Sequence, residues 1–222
     1  MIGKSCGRIT ALFACLLAYS APAGAEDKPD LSTPKKSASA FAVAVQCGDM
    51  ATVKAVSIGE EEDYKIIESL SHLIDAGHKL QEAAVAKFGE PGKQATQDVQ
   101  SDFAHHIEEG EEHVDGQTAS IGGRDRQDPL KLKKVDRDWK VDLSTFRQRE
   151  QLQSVVPKIQ KVMTDTTAGI ESGRYKTPQE VREVLKQQVS AIITAELIHN
   201  ALREHAARKQ QQQQQQSSGQ QK

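Results

Sequence analysis

Three imidazoles and four carboxylates fall within nine residues of this chain, His105-His106-Ile107-Glu108-Glu109-Gly110-Glu111-Glu112-His113. Such donors hold zinc or a similar cation when they converge on one point. Neighbouring residues on a helix point about 100° apart, so His105 and His106 diverge. The segment also lacks the paired histidines of a helical zinc site such as H-E-x-x-H. It therefore reads as a solvated acidic face leading into a strand. His105, His106 and His113 are the metal candidates, and no metal site is expected from them. A second chemistry would be a general acid–base pair, His113 or Asp115 acting with Asp138. A third would be ligand stacking on Trp139, the only tryptophan, in a pocket shared with Phe41. The competing role for Trp139 is a core anchor of a sheet. No nucleophile elbow, phosphate loop, dinucleotide fingerprint or paired-cysteine zinc motif occurs. No cofactor is expected.

The elements that would position these residues follow from periodicity. Ser32 or Thr33 caps a helix with Pro34 in its first turn, where the missing N–H costs nothing. Ala40, Phe41, Ala44 and Val45 repeat along it, Gly48 ends it, and Asp49 caps a short second helix through Val53 and Val56. The strongest periodicity follows: Ile66, Leu70, Leu73, Gly77, Leu80, Ala84 and Phe88 form one stripe on a helix from Glu60 to Phe88. Its first turn is acidic, as the helix dipole favours. A shorter helix is expected from Gln97 to Glu109. Val114-Asp115-Gly116-Gln117 signals a hairpin, with Thr118 to Ile121 as the returning strand. Leu130 and Leu132 alternate with lysines. Trp139, Val141 and Leu143 alternate with charges after a turn at Asp136-Arg137. A helical stripe from Leu152 to Met163 is expected to kink or split at Pro157. Gly169 and Gly173 mark a break, and Thr177-Pro178-Gln179-Glu180 caps the last helix.

The ends carry a different kind of information. Lys4 and Arg8, an apolar run from Ile9 to Tyr19, and Ala23-Gly24-Ala25 have the grammar of a secretory signal peptide, cleaved before Glu26. The run is shorter than the roughly 20 residues that cross a bilayer. Leu12-Phe13-Ala14-Cys15 is a poor lipobox, with bulky Phe13 and an apolar stretch continuing past the cysteine. Cleavage would remove Cys6 and Cys15 and leave Cys47 alone, so no internal disulfide could form. Cys47 reads as a small buried hydrophobe beside Phe41 and Val45. Gln210 to Gln216 is an unbroken glutamine tract, expected to be disordered or at most a frayed helical extension. Lysine and arginine are scattered with no basic block outside the extreme tail, which argues against a nucleic-acid partner.

The A-F-A-V-A-V-Q-C-G-D-M stretch within residues 34–56 resembles the opening helices of nuclear transport factor 2-like proteins. From Glu112 to Leu143 the chain resembles that family's sheet, with V-D-G-Q-T-A ahead of V-D-R-D-W-K-V. V-A-K-F-G at Val85 to Gly89 resembles exported bacterial proteins of unknown function. Arg137 stands where the family usually has glycine, the helix ending at Phe88 is longer, and the carboxy-terminal helices have no counterpart in the simple family fold. The resemblance implies a curved sheet wrapped by helices around a cone-shaped pocket. That fold hosts enzymes, binding modules and dimerisation modules alike.

Together these readings give an α+β chain: a cone-like, curved antiparallel sheet of three to four strands packed with helices, plus added carboxy-terminal helices. Its expected parts are a signal peptide (1–25), a linker (26–32), an α+β domain (33–145), a helical extension (146–205) and a disordered Gln-rich tail (206–222). The expected function is that of an exported, non-catalytic binding or interaction module, periplasmic or secreted. The alternatives are a small-molecule enzyme with an acid–base pair in the cone, then a metal-binding protein. The expected partner is a small ligand or a second copy of the chain, with no membrane span in the mature protein.

Overall fold

A computed structural model describes residues 28–97, 103–122, 129–145 and 149–219. The expected signal segment and cleavage site lie outside them. The fold is α+β and mainly helical, with an open five-stranded sheet. Helices α1 (Pro34–Cys47) and α2 (Met50–Val56) lead into a two-residue strand β1 (Ser57–Ile58). The long helix α3 (Glu61–Phe88) follows, then α4 (Glu90–Thr96) and α5 (Phe103–Glu109). Four strands form a meander: β2 (Glu111–Asp115), β3 (Thr118–Gly122), β4 (Leu130–Val135) and β5 (Asp138–Asp142). A 3-10 turn (Leu143–Thr145) leads on to α6 (Arg149–Glu171) and α7 (Pro178–Gly219), which includes the glutamine tract. No described helix is long and apolar enough to cross a membrane.

The sheet order is β1-β5-β4-β3-β2. Four antiparallel strands match the upper expectation, but the fifth makes the sheet mixed: β1 runs parallel to β5, Ser57 opposite Val141. Two residues are too few to display a period of two, so this strand left no pattern in the sequence. Upstream of β1, the edge of β5 is covered by the amino-terminal segment, where the Trp139 N–H donates to the Leu31 carbonyl at 2.9 Å. The stretch expected to be an exposed linker therefore lies along the sheet at its described end, with Leu31 packed on the core.

Local signals account for the helix ends. Thr33 accepts the Lys36 N–H at 3.3 Å, and Asp49 accepts the Thr52 N–H at 3.0 Å. Asp63 Oδ2 accepts the Glu60 N–H at 2.9 Å, satisfying one of the donors that every helix start leaves unpaired. Thr177 Oγ1 accepts the Glu180 N–H, and Glu180 reaches back to the Lys176 N–H.

Two apolar clusters hold the molecule. The first joins Phe41 and its neighbours on α1, Val53 and Val56 on α2, and Ile67 on α3 to Ile121, Leu132, Trp139, Val141 and Leu143. The second joins Ala76, Leu80 and Ala84 on α3 to Met163 and Ile170 on α6, Tyr175, and Val181 and Leu185 on α7. The α3 stripe thus serves both cores, its amino-terminal half facing the sheet and its carboxy-terminal half the last two helices.

Three local expectations change. Pro157 does not split helix α6, which runs as one element from Arg149 to Glu171. Gly169 is inside α6 rather than at a break, and a Cβ there would run into the ring of Tyr175. The helix ends at Glu171, and Gly173 in the turn beyond it has a φ of +76°. Cys47 is exposed rather than buried: it is the last residue of α1, beyond the face that Phe41 and Val45 commit to the core.

In the turn after β4 it is Asp136, not Arg137, that has positive φ, at +56°. Aspartate tolerates this conformation better than most residues, but glycine adopts it freely. Asp136→Gly should leave the urea midpoint unchanged or raise it slightly, while Gly169→Ala should cost about 1–3 kcal/mol by overpacking against Tyr175. A tolerated alanine at 169 would contradict the close approach of α6 and Tyr175.

Candidate functional site

The strand register sorts the chemistry-bearing residues between two faces. Ala119, Leu132 and Val141 lie in one row across the sheet and point into the core. On the opposite face, His113 pairs with Ser120, and Ser120 with Lys131. The adjoining row runs Asp115, Thr118, Lys133 and Lys140. These two polar rows, Lys140 excepted, floor an open cleft of about 380 Å³, bounded at one end by Asp142, Ser144 and Thr145.

Asp142 is the residue in the cleft that the alternation of β5 did not reveal. Strand alternation turns it outward, where a carboxylate is ordinarily solvated, yet it is only 3% exposed. Its Oδ1 accepts the Ser144 N–H at 3.1 Å and the Ser144 hydroxyl at 2.6 Å, while Lys133 Nζ lies 2.7 Å from Oδ2. The Thr145 hydroxyl donates to the Asp142 carbonyl at 2.8 Å. Burial alone would raise the carboxyl pKa, but the bonds from Lys133 and Ser144 outweigh it and hold the pKa below its ordinary value. The signal was present as Asp142-Leu143-Ser144, a sequence suited to an aspartate that accepts the N–H two residues on.

The other sequence candidates are dispersed. Phe41 and Trp139 are buried in the first core, on the inner side of the sheet, and line no part of this cleft. His113 and Asp115 lie in the cleft on one strand. Asp138 begins β5, three strand spacings or about 14 Å from β2, so it is not brought together with either. His105 is on α5 with Nε2 3.2 Å from Glu109. Glu112 turns the other way from His113 and accepts the Lys35 N–H in the first turn of α1, at 3.1 Å. The side chain of His106 lies outside the description. Among the described residues no three metal-ligating side chains converge.

Two further surfaces stand apart from the sheet. A groove of about 480 Å³ lies between α4 and the start of α7, lined by charges of both signs, Arg182, Glu183 and Lys186, within about a turn of a single helix. Ile193, Leu197 and Ile198 are exposed on α7 near its contact with α6, where the Ser154 hydroxyl donates to Glu196 at 2.8 Å.

No family model matches the chain, and neither does any curated protein or solved structure.

The Asp142–Lys133 pair makes a pH-dependent contribution. The depressed carboxyl pKa means that the stabilisation is complete above the unfolded value of 3.8 and is lost as pH falls through the lower folded value. Lys133→Met should therefore cost about 1–3 kcal/mol at pH 7, the scale of a buried polar group losing its partner, and progressively less towards acid. Urea denaturation at several pH values measures it. A loss that stays constant down to strongly acidic pH would show that the pair contributes nothing.

Proposed function

We propose that this chain is an exported, non-catalytic binding module that holds a small polar ligand on the open face of its sheet. The observation that carries this reading is the division of the sheet: apolar side chains fill the inner face, and the polar cleft opens on the other. Its volume lies at the small end of the 300–1,000 Å³ or so typical of ligand pockets. Export rests on the order of charge, apolar run and small residues before Glu26.

The resemblance to nuclear transport factor 2-like proteins is compatible with this reading. It rests on the opening helices within residues 34–56 and the meander from Glu112 to Leu143, with the longer α3 and the carboxy-terminal helices as departures. In such a scheme this chain would be a variant whose inner face is closed by α1 and whose ligand site has moved to the outer face. Binding is favoured over catalysis because an acid–base pair needs partners within hydrogen-bond reach. His113 and Asp115 are two residues apart on one strand, and Asp138 is remote from both.

Thermal denaturation against a panel of small polar solutes tests the reading. Amino acids, monocarboxylates and dicarboxylates, phosphates and sugars should include one class that raises the midpoint saturably, as binding to the native state does, and that is recovered unchanged. Ser120→Trp should fill the cleft and remove that rise, while altering intrinsic stability by about 0.5 kcal/mol or less, as surface changes do. Persistence of the rise in Ser120→Trp, or chemical conversion of the solute, would refute the proposal.

A further inference from the structure

The charges lining the cleft specify more than polarity. Lys133 is committed to Asp142 at 2.7 Å, and the pair is neutral overall. Of the remaining lining residues, Lys131 carries the one uncommitted positive charge and Asp115 the one uncommitted negative charge, among the described residues. They stand at opposite sides of the cleft floor, Asp115 on β2 and Lys131 on β4, with β3 between them. Ser120 and Thr118 present hydroxyls from that middle strand, and His113 lies beside Asp115.

We infer that the cleft takes a small zwitterion, a free amino acid, with its ammonium group at Asp115 and its carboxylate at Lys131. This rests on the binding reading above and deepens it. Two strand spacings and a two-residue offset separate the Cα atoms of Asp115 and Lys131 by about 12 Å. Charge-assisted contacts of about 2.8 Å at the two ends take up about 6 Å of that span, and the flexible lysine stem can close the remainder to the few ångströms between the charges of an α-amino acid. That gap suits opposite charges separated by one or two carbons, not by a peptide. The competing solutes fit less well. A phosphate or dicarboxylate would meet Lys131 but bring negative charge towards Asp115, and like charges there cost binding energy. A sugar would hydrogen-bond to both charges through its hydroxyls but neutralise neither, so it forgoes the ionic contact at each side. Only a molecule carrying both signs satisfies both sides.

The test is an amide-resolved NMR titration of the protein with L-alanine, and with propionate and ethylamine as its single-charge counterparts. L-Alanine should shift the amides of His113, Ser120 and Lys131 saturably. Propionate and ethylamine should each bind at least about tenfold more weakly, the scale of one lost ionic contact. Asp115→Asn and Lys131→Met, both at exposed positions, should each weaken L-alanine by about tenfold or more while leaving the remaining spectrum intact. Propionate binding as tightly as L-alanine, or L-alanine binding unaffected by both substitutions, would overturn the inference. If L-alanine fails while another solute binds in a manner that Ser120→Trp abolishes, the zwitterion assignment falls and the binding module stands. If no solute in the panel binds, both fall.

Discussion

One face of α1 is pressed into the inner side of the sheet, Ala38, Phe41, Ala42 and Val45 sharing a core with Leu132, Trp139 and Val141. The position of every residue in the cleft follows from that contact. Each large apolar side chain buried there contributes about 1.5–3 kcal/mol relative to exposure. A one-residue slip of β4 or β5 would move the whole set into water and bring lysines inside. Register is therefore fixed from the inner face, and the outer rows of His113, Ser120 and Lys131 and of Asp115, Thr118 and Lys133 are aligned as a consequence. The outer face contributes little to holding the fold, which leaves its side chains free to serve a ligand.

Asp142 ties the outer face into the structure. Burying a carboxylate is costly unless its oxygens are matched by donors. Here an ammonium, a hydroxyl and a backbone N–H supply them. The same arrangement removes Lys133 from competition for a ligand, so the cleft is left with a single charge of each sign. The second core lies away from the cleft. Helix α3 links the two, with Ile67 in the first and Leu80 in the second, so the last two helices are anchored to the sheet through one continuous rod.

The sequence was most legible where one face of an element is buried and the other wet. The α3 stripe and the alternation of Leu130, Leu132, Trp139 and Val141 are of this kind, and each lies where its period places it. Features that depend on a neighbour distant in the chain were not legible. Ser57–Ile58 becomes a strand only because β5 offers it an edge. Gly169 resembled a helix breaker, whereas it is small because Tyr175 crosses it. Pro157 lies within a helix whose tertiary packing carries it through the missing hydrogen bond. Cys47 resembled a core residue from its neighbours, but two residues past Val45 the helix has turned to solvent. In the candidate site, His113 and Asp115 stand out in the sequence only as acid–base candidates, and Phe41 and Trp139, the pocket candidates, lie on the other face. Lys131, Ser120 and Asp142 do not stand out, because lysine and serine alternating on a strand are the ordinary dress of a wet face.

The single tryptophan makes the central claim directly measurable. Trp139 is 5% exposed on the inner face, two positions before Val141. Its fluorescence reports whether the inner side of the sheet is sealed core or open cavity. Acrylamide quenching of the native protein, with and without saturating L-alanine, decides between them. The account predicts blue-shifted emission, weak quenching and no change in either on ligand addition, because the ligand sits on the far side of the sheet. Strong quenching of the native protein, or ligand protection of Trp139, would place the ligand-accessible space on the inner face and contradict it.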